Sequence, residues 1–174
     1  MLYLRDLPKY EAIAQRAARY PDIEPGAVVS YLVLLRVAQD VMSVVEEFLS
    51  SHSMSHGRFS VLMLLNREPE KPTSPSDLAA KAGVTRATMT GLLDGLEREK
   101  LVARSPDRED RRMQLVELTP KGLKLLDGML PDYYRLVASI MGQLGEDQKK
   151  QLIDLLTHIN SSLTAMVAGS TQPA

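Results

Sequence analysis

Apolar side chains recur along this chain at the spacing of helices that have one buried face. Between residues 27 and 49 they return every three or four positions, which predicts one long helix. The members of this stripe are Val28, Leu32, Leu35, Val41, Val44, Val45 and Phe48. A shorter amphipathic stretch runs from Lys9 to Tyr20. Pro21 and Pro25 end it, because proline disfavours helix at the preceding residue, so residues 1–25 are predicted to be a helical extension.

The segment before residue 85 carries the signals of a short, well-capped helix. Ser74 is a favourable N-cap, Pro75 suits the first helical position and Gly83 suits the end. After a tight connection, Thr85 is placed to cap a second helix with one buried stripe. The stripe consists of Met89, Leu92, Leu93 and Leu96. Two short helices joined by a turn with glycine predict a helix-turn-helix, preceded by a helix over 58–65.

The chain then changes from helical spacing to a strand, a polar loop and a second strand. The sequence LVAR at 101–104 and the partly alternating RMQLVELT at 112–119 predict a β-hairpin. Thr119 and Pro120 suit the cap and first position of another helix, which is predicted to continue to about Leu144. A final amphipathic helix follows, ahead of a polar tail.

The predicted fold class is therefore mainly α with a small β-hairpin, a winged helix-turn-helix flanked by long helices (α+β). The flanking helices present more apolar surface than one small module can cover, so we assign them to dimerisation. The predicted regions are an N-terminal helical extension at 1–25, a helical dimerisation region at 26–52 and 120–168, a winged helix-turn-helix at 53–119 and a disordered tail at 169–174.

Composition excludes several classes of function. The chain has no cysteine, which excludes disulfides, thiol catalysis and thiolate metal sites. It has only three histidines, no HExxH motif and no glycine loop that would cradle phosphate, so we expect no enzyme, metal or cofactor.

No uninterrupted apolar run approaches the roughly 18 to 20 residues of a bilayer span, and charges interrupt the N-terminus where a signal peptide is apolar. We expect a cytoplasmic protein.

The charges are unevenly distributed. The net charge is −1, but residues 51–112 hold 11 Lys and Arg against 9 Asp and Glu. This weak excess of positive charge is compatible with nucleic-acid binding and equally with an ordinary solvated surface.

The sequence VTRATMTGLLDGLEREKLVARSPDREDRRMQLVELTPKG resembles the MarR family of regulators. Its successive parts, a helix, an LV strand, a loop that ends in DRR and the motif LTPKG, occur in fixed order, and the resemblance extends from about residue 27. It implies a homodimeric transcriptional regulator, most often a repressor, that binds double-stranded DNA. It further implies that the helix from Thr85 to Glu99 enters the major groove and that the hairpin 101–118 is the wing.

Polar residues near the start of this helix are the candidate base readers. Arg86 is the first choice, because a bidentate arginine to guanine is the commonest specific contact. Thr85, Thr88 and Thr90 accompany it. A strip of small residues, Ala87, Gly91 and Gly95, would let the helix approach DNA closely, or alternatively pack against another helix.

The wing supplies further candidates. By resemblance, Arg108 near its tip would reach the minor groove, which attracts inserted arginine, while Asp110 and Arg111 would brace the loop. The acids are expected to hold the loop by ion pairs; a salt-bridged surface turn is the alternative. The remaining candidate DNA contacts are Arg104 and Arg112 in the hairpin and Arg58 and Ser76 at helix starts.

Two positions depart from the family pattern. Gly91 stands where the family often has arginine, which leaves the operator sequence open. Lys100 stands where it often has glycine, at a position that commonly requires a positive φ.

A two-fold dimer would bind a pseudo-palindromic site with half-sites about one helical turn apart. Such regulators are typically released by a small aromatic or phenolic ligand, and Arg36, His52 and His56 are candidates to border its pocket. Structural roles for these three residues, a monomer with a larger core, and a winged-helix protein-interaction module that does not bind specific DNA are the alternatives.

Overall fold

A computed structural model describes residues 6–17, 19–20, 22–107, 110 and 112–169. Within these residues the chain is mainly helical, with one two-stranded antiparallel sheet, and this confirms the predicted fold class. The elements are α1 (Tyr10–Ala17), α2 (Pro25–Ser51), α3 (His56–Asn66), α4 (Pro75–Ala82), α5 (Arg86–Arg98), β1 (Val102–Pro106), β2 (Gln114–Leu118), α6 (Pro120–Met141) and α7 (Glu146–Gly169).

The predicted helix boundaries in the helix-turn-helix are confirmed. The Ser74 side chain accepts a hydrogen bond from Asp77 N, and Thr85 accepts one from Thr88 N, so each caps its helix as expected. Gly83 ends α4 in the left-handed conformation, with φ of 66°. The helix predicted over 58–65 is longer than expected, because Ser55 caps it and α3 begins at His56.

The hairpin lies against the start of α4. In β1 and β2, Val102 pairs with Leu118 and Pro106 with Gln114. Thr73, just before α4, also pairs with this sheet, since it exchanges two backbone hydrogen bonds with Val116 of β2, at 3.0 and 2.9 Å. This bridge ties the residue that precedes α4 to the wing.

One core unites the helix-turn-helix and the hairpin. Met89, Leu93 and Leu96 of α5 are fully buried, which confirms three members of the predicted stripe, and Val116 of β2 is buried with them. Leu92, the fourth member, is half-buried. The other fully buried large side chains are Leu49, Leu62, Leu78, Leu126, Met129, Val61 and Val102.

The chain divides into two compact units, Met1–Met129 and Leu130–Ala174. The first unit includes α2, whereas the sequence pattern grouped α2 with residues 120–168. In the second unit, α7 leaves most of its described apolar residues exposed in the single chain, and His158 is exposed as well. The dimerisation role of these helices stays a prediction. Residues 170–174 of the predicted tail lie outside the described residues.

Helix α2 departs from the expectation that no segment could span a membrane. By length and composition alone it is long and apolar enough, and only 6% of its most apolar window is buried in the single chain. Arg36 and Asp40, however, form an ion pair at 2.7 Å within the helix, and such charges are costly inside a bilayer. Val45 and Leu49 are buried in the core. We therefore interpret the apolar surface of α2 as a protein-packing face.

Candidate nucleic-acid interface

A shallow cleft of about 290 Å³ lies where α4, α5 and β2 begin. The bridge between Thr73 and Val116 brings these three starts together, because it fixes the residue before α4 beside β2. The cleft is lined by Ser74, Pro75, Ser76, Arg86, Thr90, Met113 and Gln114. Three of the predicted DNA contacts, Ser76, Arg86 and Thr90, therefore share one surface.

Arg86 is exposed on the first turn of α5. Among the described residues, no hydrogen bond or ion pair engages its guanidinium, so all five N–H donors are available to a ligand. The threonines around it are more constrained. Thr85 and Thr88 hydrogen-bond each other at 2.9 Å in the cap, and Thr90 donates to the backbone oxygen of Arg86 at 2.9 Å.

The small-residue strip of α5 faces open space. No described atom beyond the helix lies within 4 Å of a Cβ built at Gly91 or Gly95, and Ala87 is exposed. Packing of this strip against another helix, the alternative left open by the sequence, is not found in the described part of the chain. The face remains accessible for close approach by another molecule.

Arg104, in contrast, is engaged within the module. Its guanidinium contacts the carboxylates of Asp94 at 2.7 Å and Glu97 at 3.0 Å, both on the second half of α5. The residue therefore joins the wing to α5. This geometry favours a bracing role within the module. Direct contact of Arg104 with DNA stays a prediction, and the geometry does not favour it.

Arg58 is engaged in a similar way. Its Nη2 lies 2.5 Å from Oε2 of Glu99, which follows α5. This hydrogen bond is the main reason that the pKa of Glu99 is lowered from its ordinary value, against the opposing effect of burial. The Nε of Arg58 is buried and has no partner among the described residues. Arg58 thus links α3 to the end of α5, a geometry that does not favour the predicted phosphate contact.

Acidic side chains of the wing loop accept hydrogen bonds from its backbone. Oδ1 of Asp107 accepts from Asp110 N at 3.2 Å, and Oδ1 of Asp110 accepts from Arg112 N at 3.0 Å. Both acids therefore accept hydrogen bonds from backbone N–H groups of the loop. The ion pairs expected between the acids and the arginines of this loop stay a prediction. Arg112 is exposed. The predictions for Arg108 and Arg111 fall outside the described residues.

The turn after α5 was only partly anticipated. Lys100 has a φ of 59°, which confirms the positive value expected at this position. The sequence reasoning missed the contacts that surround the turn: Lys121 Nζ donates to Glu99 O at 2.8 Å, and Thr119 Oγ1 donates to Lys100 O at 2.7 Å. The signal was the LTPKG motif, which the sequence analysis interpreted as a helix start and as part of the family resemblance, but not as a contact to this turn.

Of the three candidate ligand residues, Arg36 lies apart from His52 within one chain. Arg36 pairs with Asp40 on α2, about 24 Å along the helix axis from His52. The Nδ1 of His52 lies 3.0 Å from Phe48 O, and its ring packs against the Phe48 ring in a tilted arrangement, with the ring centroids 4.6 Å apart. His56 is the exposed first residue of α3. Their role in ligand binding stays a prediction.

Sequence comparisons agree with this architecture. The MarR family profile matches residues 54–113, which run from α3 through the wing loop. The HTH-type transcriptional repressor YetL of Bacillus subtilis (strain 168) is 34% identical over 153 residues, which cover 88% of this chain and 92% of YetL.

Solved structures give the same result. The structure of Bordetella bronchiseptica BpsR, from work on regulation of its DNA binding by 6-hydroxynicotinic acid, is 27% identical with a TM-score of 0.64 and covers 74% of this chain and 96% of BpsR. A point mutant of S. aureus MepR bound to an oligodeoxyribonucleotide is 26% identical with a TM-score of 0.54 and covers 76% and 97%. The chain belongs to the MarR family of helix-turn-helix transcriptional regulators.

Proposed function

We propose that this regulator represses transcription by binding a specific pseudo-palindromic DNA operator through the surface around Arg86. The observation that carries the proposal is the contrast among its arginines. Arg86 is exposed and has no described partner, whereas Arg58 and Arg104 are engaged by carboxylates of the same module. An arginine with all its donors available at the start of α5 suits bidentate contact with guanine in the major groove.

The neighbouring groups suit complementary roles. Ser76 lies in the first turn of α4, where the helix dipole and backbone N–H groups favour a DNA phosphate. Thr90 donates its hydroxyl proton to Arg86 O and keeps its acceptor lone pairs for base edges. Thr85 already accepts from Thr88 N, so of this capping pair Thr88 is the one that keeps an acceptor lone pair for a base edge whichever hydroxyl donates. The open strip at Gly91 permits close approach. We assign Arg112, Arg108 and Arg111 of the wing to the phosphates and the minor groove.

We further propose that the regulator acts as a homodimer. The apolar residues of α7 are exposed in the single chain at the helical spacing of one stripe: Leu155, Leu156, Ile159, Leu163 and Met166. A second copy is the partner that would cover this stripe and, by two-fold symmetry, present two copies of α5 to successive turns of the major groove.

A small aromatic acid is the effector we propose. The support is the likeness to BpsR, whose DNA binding is regulated by 6-hydroxynicotinic acid. Arg36, His52 and His56 remain our candidate residues, with Arg36 the one able to pair a carboxylate. Titration of 6-hydroxynicotinic acid into the protein–DNA complex should release DNA; complete insensitivity would exclude this acid as the effector.

We also propose that the protein is not an enzyme and that it works in the cytoplasm, where its DNA lies. The described residues contain no group of three or more His, Cys, Asp or Glu that could hold a metal ion. The membership of a family of transcriptional regulators supports both statements.

Selection of duplexes from a random DNA library tests the proposal. The wild-type protein should enrich a pseudo-palindrome whose half-sites are about 10 base pairs apart, centre to centre. Enrichment of no sequence would contradict the proposal and favour the alternative, a winged-helix protein-interaction module. One observation favours that alternative, since Arg104 lies among acids rather than beside Arg86.

A further inference from the structure

The start of α6 contacts the backbone of the turn that follows α5. We call residues Glu99, Lys100 and Leu101 the exit turn. Each of its three carbonyl oxygens accepts a hydrogen bond from Thr119 or Lys121: Glu99 O from Lys121 Nζ at 2.8 Å, Lys100 O from Thr119 Oγ1 at 2.7 Å, and Leu101 O from Thr119 N at 3.1 Å. From this geometry we propose that Thr119 and Gly122 are positioning residues for DNA recognition, which hold α5 and the wing at one fixed angle.

Gly122 allows α6 to come this close. A Cβ at this position would overlap Leu101 O and lie 3.1 Å from Leu101 C, far inside van der Waals contact with backbone. Glycine is required here because a side chain would not fit. The backbone conformation does not require it, because the φ of Gly122 is not positive. The N–H of Gly122 also donates to Thr119 Oγ1 at 3.0 Å, so one hydroxyl both caps α6 and donates to the exit turn.

The exit turn is held in a conformation that its own residues disfavour. Lys100 adopts a φ of 59°, which a residue with a side chain rarely takes. Such a conformation persists where several neighbours fix it together. Here Lys100 N donates to Glu97 O, Leu101 N donates to Leu96 O, and Thr119 fixes the Lys100 carbonyl. Arg58 adds the contact to the Glu99 side chain.

The angle set at the exit turn matters because both DNA-contacting elements diverge from it. Helix α5 ends at Arg98 and β1 begins at Val102, so the turn is the direct covalent connection between them, and the ion pairs of Arg104 brace the same junction. Arg86 lies about 18 Å along α5 from Arg98, so a rotation of about 10° at the turn would move it by about 3 Å. A polar binding geometry tolerates displacement of only about 0.5 Å. A loosened turn would therefore prevent α5 and the wing from engaging DNA together.

The inference rests on the proposed DNA-binding function, and three variants of the full-length protein test it. Thr119→Val keeps the shape of the side chain but loses the hydroxyl, and Thr119→Ser restores the hydroxyl. Val61→Ala removes buried volume from α3 in the same module and controls for general destabilisation. Fluorescence anisotropy measures the Kd of each for the selected operator and for a scrambled duplex, and urea denaturation compares their stabilities.

We expect Thr119→Val to bind the operator about tenfold more weakly and the scrambled duplex unchanged, because specific geometry is lost while the charge is kept. Thr119→Ser and Val61→Ala should keep the operator affinity. Unchanged operator binding by Thr119→Val, despite lower stability, would overturn the inference, as would an equal loss in Val61→Ala. If the wild-type protein itself does not distinguish the operator from scrambled DNA, the proposed function is wrong, and the inference that rests on it is wrong as well.

Discussion

Helices α5 and α7 carry similar apolar stripes but bury them to opposite extents. Met89, Leu93 and Leu96 of α5 are 0% exposed in the single chain. The corresponding exposures on α7 are 63% for Leu155, 44% for Ile159, 55% for Leu163 and 68% for Met166. An amphipathic pattern therefore predicts a buried face, but it does not specify whether the same chain or a second chain covers that face. On α5 the covering surface belongs to the same chain.

The two helices should therefore respond differently to the same kind of change. A substitution on the buried stripe of α5 should act on the folding of each chain by itself. A substitution on α7 should act through association between chains, because the proposed partner is a second copy.

The largest effect is expected from Leu93→Ala. Loss of a fully buried leucine should lower the free energy of unfolding by about 2–5 kcal/mol, through lost burial and the cavity that remains. Urea denaturation at several protein concentrations measures it, with Leu155→Ala on α7 as the matched change. The cost of Leu155→Ala should vary with protein concentration. Equal, concentration-independent losses of stability in both variants would contradict the interpretation that α5 is covered by its own chain and α7 by a second copy.

Ile159→Glu should disrupt the proposed dimer. A carboxylate in the apolar stripe would have to be buried without a partner, so the dimer Kd should rise roughly 30-fold or more, about 2 kcal/mol. Sedimentation equilibrium measures the change. Asn160→Glu adds the same charge at the next residue and should leave the dimer intact. A monomeric wild type at micromolar concentration would refute the proposed role of α7.

A smaller effect, of opposite sign, is expected at the end of α5. Lys100→Gly relieves the positive φ and should raise the free energy of unfolding by about 0.5–1 kcal/mol, after the greater flexibility of unfolded glycine is included. Lys81→Gly, within α4, should instead lower it by about 1 kcal/mol. Thermal or urea unfolding decides the sign. A loss of stability in Lys100→Gly would show that the lysine side chain has a contact of its own.

The smallest effect concerns pH. Because Arg58 lowers the pKa of Glu99 below its ordinary value of 4.5, the pair stabilises the fold above that pH and loses its contribution as the pH falls through the lower, folded-state pKa. Glu99 is half exposed, so the contribution should be less than about 1 kcal/mol.

Urea denaturation at pH 7 and pH 3 measures this contribution. Glu99→Gln should lose less stability between the two pH values than wild type does, and Glu70→Gln, in the exposed loop before α4, should match wild type. Identical pH dependence in Glu99→Gln and wild type would contradict the pairing.

Local signals in the sequence predicted the frame of the fold well. Ser74, Thr85 and Gly83 act within a few residues of themselves, so their capping roles were readable and are confirmed. The positive φ of Lys100 was also expected, from the family pattern.

The ion-pair partners of Arg58 and Arg104 could not be predicted from the sequence. Arg58 meets Glu99 across 41 residues, and Arg104 meets Asp94 across the join between helix and wing. Such contacts depend on tertiary distance, which residue spacing does not contain. The sequence therefore grouped Arg58, Arg86 and Arg104 as one class of DNA contact, whereas the structure engages two of them internally.

The most direct test of the account compares Arg86→Ala with wild type on the selected operator, by anisotropy at several salt concentrations. Arg16→Ala on α1 removes the same charge and serves as control. Arg86→Ala should weaken operator binding by about 1–3 kcal/mol and relax the preference for one base, while Arg16→Ala and wild type remain alike. Unchanged affinity and selectivity in Arg86→Ala would contradict the claim that this arginine reads the DNA.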